Sequence, residues 1–198
     1  MADLDIAGVQ EAIRRAAAVR SPLRIVGGAT KDFYGEKLVG DVLDVRELTG
    51  IVDYAHSPDA IERVLRAARD ESSGRIIAVV GAGGDRDRGK RPLMGQTAAR
   101  LADVLVITDD NPRSEDPAAI RAAVREGAQR VAPLERAEIR EEADRRAAIT
   151  VAVGVAQAGD VVLVLGKGHE QGQDVGGVIT PFDDATVLAR ALAEGASQ

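Results

Sequence analysis

From residue 57 onward, apolar residues at helical spacing alternate with short, wholly apolar runs. Ser57, Pro58 and Asp59 indicate a helix start, because serine caps the helix, proline fits its first turn and aspartate favours its positive end. The apolar residues that follow predict one buried stripe, formed by Ile61, Val64, Leu65 and Ala68. This segment opens a regular alternation of β and α elements.

Continuous apolar runs predict buried parallel strands at 75–80, 104–107 and 161–165, and a weak strand is predicted near 130–133. Helices are predicted at 93–101, from 116 to about 127, at 141–157 and after Phe182. Strands separated by helices of this length form right-handed crossovers. We therefore predict an α/β fold with a Rossmann-like, mostly parallel sheet and helices on both faces.

The first fifty residues follow a different pattern. A helix at 4–19 and short strands at 23–26 and 42–45 predict a short N-terminal α+β appendage. We expect this appendage to occupy residues 1–50 and one α/β domain to occupy residues 51–198.

Composition narrows the classes of function. Hydrophobic residues make up 45% and charged residues 29% of the 198 residues, as in globular proteins. Aromatic residues make up 2% and the net charge is −6, which argues against nucleic-acid binding. The absence of cysteine excludes a disulfide framework and a cysteine nucleophile. Because there is no secretory signal and no apolar run of about 18–20 residues, we expect a cytoplasmic protein without a membrane partner.

Ligands of parallel sheets bind beyond the carboxyl ends of the strands, here the loops at 81–92, 108–116 and 166–174. In the first loop, Arg91 stands where a nucleotide P-loop requires serine or threonine. Arg86 likewise replaces the third glycine of a dinucleotide-binding pattern. We interpret this loop as a guanidinium cluster for a carboxylate or phosphate; a solvated charged loop is the alternative.

The second loop offers the groups that a small zwitterion requires. Asn111 provides a donor and an acceptor, Arg113 a fork for a carboxylate, and Asp110 a partner for an ammonium group. The alternative is an Asx-type turn that only caps the next helix.

The third loop follows the clearest strand and reads GKGHE from Gly166 to Glu170. Its glycines allow close backbone approach, and Glu170 can accept a hydrogen bond from a substrate amine. Two histidines without metal-ligand spacing predict no metal site. Tyr54 and His56 precede the first helix of the domain, where a simple strand-to-helix turn is the alternative interpretation.

Four segments in order are more specific than any one of them: VDYAHSPDA, GAGGDRDRGKRPLMG, TDDNPRSEDP and VVLVLGKGHE. Together they resemble the C-terminal domain of the Mur ligases, and within that family the ligases that add meso-diaminopimelate. The resemblance covers residues 51–195. It implies an ATP-dependent, amide-forming ligase of peptidoglycan synthesis.

In this family ATP and Mg²⁺ activate the D-glutamyl carboxylate of UDP-N-acetylmuramoyl-L-alanyl-D-glutamate, and the amino group of meso-diaminopimelate attacks the acyl phosphate. The family's Walker A sequence, carbamylated lysine and magnesium ligands are not found in these 198 residues. We therefore expect no catalytic residue, no bound ATP or metal, and no turnover by this chain alone.

The resemblance also implies which residues bind diaminopimelate: Arg86, Asp110, Asn111, Pro112, Arg113, Gly166 and Glu170. It implies Tyr54, His56 and Arg91 on the nucleotide side. Arg86 and Arg113 then bind a carboxylate, whereas Asn111 and Glu170 recognise the distal amino-acid end of the ligand. Lysine is rejected because it lacks the second carboxylate and leaves buried polar groups unpaired.

Residues 9–54 resemble a second family, the start of the FAD-binding subunit of glycolate oxidase. The similarity lies in PLRIVGGATKDFYG at 22–35 and LDVR at 43–46. Because that flavin domain needs much more chain, we do not expect FAD binding. Two alternatives to a ligase domain thus stay open: a non-catalytic module that binds an amino acid or nucleotide, and a fragment of an FAD-binding oxidoreductase.

Overall fold

The structure, a computed structural model, describes residues 23–26, 41–44 and 48–195. The strands of these residues are β1 (Leu23–Val26), β2 (Asp41–Asp44), β3 (Thr49–Asp53), β4 (Ile76–Ala82), β5 (Val104–Asp109), β6 (Glu138–Glu141), β7 (Val161–Leu165), β8 (Gly172–Val175) and β9 (Val178–Pro181). The helices are α1 (Pro58–Glu71), α2 (Lys90–Leu101), α3 (Pro117–Gln129), α4 (Arg145–Val155) and α5 (Asp184–Gly195). The helix predicted at 4–19 lies outside the described residues.

The central sheet has five parallel strands in the order β3-β7-β4-β5-β6. In its middle, Val79 of β4 pairs with Val164 of β7 on one side and with Val106 of β5 on the other. Strands β4 and β7 are buried along their whole length, as continuous apolar runs predict for a sheet covered on both faces. The predicted α/β fold is confirmed. Strands β1 and β2 form a separate parallel pair.

Helices cover both faces of the central sheet. Ala78 and Val80 of β4 point toward α1, α2 and α3, whereas Ile77 and Val79 point toward α4 and α5. This division follows from the alternation of side chains along a strand. Helix α1 begins as predicted: the Ser57 hydroxyl accepts from the backbone N–H of Ala60 at 3.3 Å. None of the described helices combines the length and apolar character that a membrane span requires.

Two predicted elements differ from the structure. The strand predicted near 130–133 is wrong, because Arg130 ends α3 and the next strand is β6. Strand β6 reads EIRE at the edge of the sheet, where Ile139 alone packs against the core, so it lacks a continuous apolar run. Helix α4 is shorter than the predicted 141–157, since Asp144 caps it by accepting from the backbone N–H of Ala147 at 2.8 Å.

The antiparallel hairpin of β8 and β9 was not predicted. Its turn is formed by Gly176 and Gly177, with φ values of 61° and 82° that favour glycine. Strand β9 is exposed along its length, so no buried face imposes an alternating pattern on it. The hairpin borders the second loop through a parallel bridge between Arg113 and Val175.

A buried ion pair ties the helices of the second face to the carboxyl end of the sheet. Arg145, at the start of α4, donates to both carboxylate oxygens of Asp184, at the start of α5, at 2.8 and 2.7 Å. Both side chains are fully buried. The same guanidinium also donates to the carbonyl of Leu165 at 3.1 Å. The last residue of β7 is thereby fixed where the third loop begins.

Candidate functional site

A cavity of about 210 Å³ lies beyond the carboxyl ends of β3, β4, β5 and β7. The three polar loops and the Tyr54–His56 turn surround it, as the rule for parallel sheets predicts. Nine of the ten residues proposed from the sequence line it: Tyr54, His56, Arg86, Arg91, Asp110, Asn111, Arg113, Gly166 and Glu170. The tenth, Pro112, is buried and does not line the cavity.

A polar network joins the second and third loops. The Asn111 side-chain N–H donates to Glu170 Oε2 at 2.7 Å, and Asn111 Oδ1 accepts from Lys167 Nζ at 3.0 Å. Lys167 Nζ also contacts Glu170 Oε2 at 3.4 Å and Asp110 Oδ1 at 3.7 Å. The Lys167 side chain is fully buried. Carboxylates and an amide therefore surround one buried cation.

Lys167, the cation of this polar network, was not among the proposed residues. Lysines that follow a glycine in a polar loop are usually solvated, and almost never fully buried unless paired. One signal was available. The chain has only four lysines among 26 basic residues, and this one lies two residues after the end of the clearest strand.

Arg113 lies at the junction of the second loop with the β8–β9 hairpin. Its backbone has φ 51°, a left-handed conformation that is uncommon for residues other than glycine. Its N–H donates to the carbonyl of Asp174 at 3.0 Å, and its carbonyl accepts from Gly176 at 2.7 Å. Its side-chain Nη1 donates to the carbonyl of Gly84 at 2.7 Å. The guanidinium is thus held against the first loop while it lines the cavity.

The first loop contains three guanidiniums, of which Arg91 is buried and Arg86 and Arg88 are exposed. Arg91 is buried and donates to Glu115 at 2.7 and 3.0 Å and to the carbonyl of Gly83 at 3.1 Å. These hydrogen bonds from Arg91 lower the pKa of Glu115 to about 2. Within the described ranges, Arg91 Nε is the buried side-chain nitrogen or oxygen that lacks a hydrogen-bond partner. Arg86 is exposed and donates to the Asp85 carbonyl at 3.3 Å.

Close backbone approach explains two glycines of the site. Gly166 has φ 117°, and a Cβ there would lie 2.7 Å from Asp110 Oδ2. At Gly84 a Cβ would lie 1.8 Å from the Pro112 carbonyl oxygen. Pro112 therefore contributes its backbone to the packing of the first two loops rather than a group that faces the cavity.

Tyr54, His56 and His169 form a small aromatic group at one side of the cavity. The Tyr54 ring lies 4.7 Å from the His56 ring and 5.5 Å from the His169 ring, measured between centroids. His56 Nδ1 also contacts the Tyr54 carbonyl at 2.8 Å. In the part of the chain that the structure describes, no three His, Asp or Glu side chains are placed to hold a metal ion.

The profile of the family described as "Mur ligase, glutamate ligase domain" matches residues 38–168. The fold that carries this cavity is thus that of a ligase domain. The chain belongs to the Mur ligase family and contains its C-terminal domain. The match includes residues 38–50, which the sequence pattern predicts to belong to the appendage, and the domain boundary at residue 51 stays a prediction.

Relatives indicate a particular type within that family. The UDP-N-acetylmuramoyl-L-alanyl-D-glutamate–2,6-diaminopimelate ligase of Caulobacter vibrioides is 58% identical over 71% of this chain and 27% of its own length. The ligase of the same name from Agrobacterium fabrum is 47% identical over 90% of this chain and 34% of its own length. The chain therefore spans about a quarter to a third of the length of these curated relatives.

Solved structures agree with these relatives. A structure of a UDP-N-acetylmuramoyl-L-alanyl-D-glutamate–2,6-diaminopimelate ligase superposes with a TM-score of 0.70 and 42% identity, over 79% of this chain and 32% of that one. A murein peptide ligase from Psychrobacter arcticus superposes with a TM-score of 0.53 at 17% identity, over 79% and 29% of the two chains. The second likeness concerns the fold alone.

Proposed function

We propose that this chain provides the amino-acid-binding domain of an ATP-dependent ligase that adds meso-diaminopimelate to UDP-N-acetylmuramoyl-L-alanyl-D-glutamate. One observation carries the proposal: a single small cavity is lined by nine of the ten residues implied by the family resemblance. Its volume of about 210 Å³ is below that of pockets for drug-sized ligands, which suits a free amino acid.

The cationic side of the cavity suits a carboxylate. Arg113 has only Nη1 engaged by the protein, and Arg86 is exposed at the rim. A carboxylate bound here would satisfy these groups through charge-assisted hydrogen bonds.

The acidic side of the cavity suits an ammonium group. Glu170 Oε2 is occupied by Asn111 and Lys167, whereas no donor among the described residues contacts Oε1. An amino acid that presents an ammonium and a carboxylate at the same end can therefore bind Glu170 and Arg113 together. Lysine presents only the ammonium at its distal end, so it would leave the guanidinium unpaired and bind more weakly.

ATP and Mg²⁺ belong to the proposed reaction of the whole ligase, where they activate the carboxylate that is attacked. Arg91, which lines the cavity together with Tyr54 and His56, suits the phosphate-bearing side of such a reaction. We assign no magnesium ligand to the described residues. We expect these 198 residues, given ATP, Mg²⁺ and both substrates, to form no amide product.

The test is a titration of ¹⁵N-labelled protein with meso-diaminopimelate, followed by amide chemical shifts. We expect saturable shifts at residues 86, 110–113 and 166–170, and much smaller shifts with L-lysine at the same concentration. A folded protein whose spectrum does not change with meso-diaminopimelate would contradict the proposal. In a separate assay, amide product formed by this chain alone would contradict the expected lack of turnover.

A further inference from the structure

The buried ammonium of Lys167 stands at the centre of the polar network and has no direct part in the binding described above. Its side chain is fully buried, and Nζ contacts Asn111 Oδ1 at 3.0 Å, Glu170 Oε2 at 3.4 Å and Asp110 Oδ1 at 3.7 Å. A buried cation is costly unless it is paired and hydrogen-bonded. A lysine at this position therefore needs these partners, and its ammonium in turn influences their orientation.

The chemistry of its partners fixes the orientation of the Asn111 amide. A lysine ammonium and a backbone N–H are donors only, and both Lys167 Nζ and the Asp174 N–H lie against Oδ1, each at 3.0 Å. An ionised carboxylate accepts only, and Glu170 Oε2 lies 2.7 Å from Nδ2. The reversed amide would place donors against donors and an oxygen against a carboxylate.

We propose that Lys167 is a positioning residue of the amino-acid site. It holds the Asn111 oxygen inward, and with Asn111 it fixes Glu170 through Oε2. Glu170 Oε1 is then left for the ammonium of the incoming amino acid. One cation between the carboxylates of Asp110 and Glu170 leaves one negative charge, which complements that ammonium. The effect on ligand binding rests on the proposed function; the effect on the Asn111 amide does not.

The chain offers an unusually direct probe, because Asn111 is the only asparagine in the 198 residues. Protein labelled with ¹⁵N-asparagine therefore gives one side-chain NH₂ signal. In the unliganded protein we expect its two protons to be well separated in shift and slow to exchange with water, since one donates to Glu170. An unshifted, rapidly exchanging pair in the unmodified protein would overturn the proposal without any variant.

Lys167→Met removes the ammonium and keeps much of the side-chain volume. We expect the two Asn111 protons to move together and exchange faster, and the affinity for meso-diaminopimelate to fall about tenfold. The preference for meso-diaminopimelate over L-lysine should fall as well. Lys167→Gln keeps a donor for Asn111 Oδ1, so it should retain more of the amide signature than methionine does. The matched control is Arg190→Met, which also replaces a cationic side chain by methionine, but at an exposed position of α5.

A folded Lys167→Met protein with an unchanged Asn111 signal and unchanged affinity would overturn the proposal. An Asn111 signal kept equally well by methionine and by glutamine would do the same, because a side chain without the ammonium would then orient the amide as well as lysine does. If the amide signature is present in the unmodified protein and lost in Lys167→Met, but meso-diaminopimelate does not bind, the proposed function fails while the orienting role of Lys167 is upheld.

Discussion

Replacing Arg113 tests the proposed carboxylate site most directly. The backbone of Arg113 is fixed by hydrogen bonds to Asp174 and Gly176, so alanine can keep the loop while the guanidinium is lost. A hydrogen bond to a charged group contributes about 1.5–3 kcal/mol. The affinity for meso-diaminopimelate should therefore fall about ten- to a hundredfold in Arg113→Ala.

A glycine variant separates binding from stability at the same position. Arg113→Ala also loses the Nη1 hydrogen bond to Gly84, which should lower the free energy of unfolding by about 1 kcal/mol. Arg113→Gly loses the same bond but relieves a left-handed backbone, with φ 51°, that costs other residues about 1–2 kcal/mol. Glycine should therefore be more stable than alanine here, although both variants should bind equally weakly.

Isothermal titration with meso-diaminopimelate and urea unfolding measure these two effects separately. The control is Arg66→Ala, which removes an exposed arginine of α1 that pairs with Glu62. It should leave the affinity unchanged. The reasoning is refuted if Arg113→Ala binds like the unmodified protein, or if its unfolding free energy falls by more than the binding free energy does.

Three further substitutions test how the site is supported. Asp184→Asn leaves the buried Arg145 guanidinium uncompensated and should lower the free energy of unfolding by about 3–5 kcal/mol in urea; a loss comparable to that of an exposed pair would contradict the buried-pair argument. Arg91 lowers the pKa of Glu115 from 4.5 to about 2. The ionised Glu115 therefore stabilises the folded protein fully above pH 4.5, and this contribution is lost as the pH falls toward 2. The stability difference between the unmodified protein and Glu115→Gln should thus be smaller at about pH 3 than at about pH 6, and a constant difference would exclude this pair as the cause. Gly84→Ala should force apart the first two loops and cost on the order of 1–3 kcal/mol, measured by thermal unfolding, and an unchanged melting temperature would contradict the close approach.

The sheet and the position of the site were predictable because both depend on short-range patterns. The apolar runs of β4, β5 and β7 are buried on both faces, and the loops that follow them converge at one edge by the geometry of parallel strands. Arg113 and Glu170 could therefore be assigned to one cavity although 57 residues separate them along the chain.

Burial of polar groups was not predictable in the same way. Lys167 is buried because Asn111, far away in sequence, supplies an acceptor at 3.0 Å, and no local pattern records that contact. Similarly, hydrophobic periodicity does not predict β6 or β9, since neither strand has a face that the core covers along its length. The periodicity of apolar residues reflects contact with the core, so it does not predict structure that polar partners determine.

The β8–β9 hairpin, which the sequence pattern does not predict, fixes the conformation of the second loop. Strand β8 supplies the Asp174 N–H to Asn111 Oδ1 at 3.0 Å, and the Gln173 side chain to the Asp110 carbonyl at 2.8 Å. The second loop is therefore organised by hydrogen bonds within the protein before any ligand arrives. Because such a site does not need to be ordered on binding, we expect the groups that the protein leaves free to determine both affinity and selectivity for the proposed amino acid. Those groups include the remaining N–H donors of Arg113 and the Oε1 of Glu170, a cation and an anion that would favour a ligand with both charges at one end.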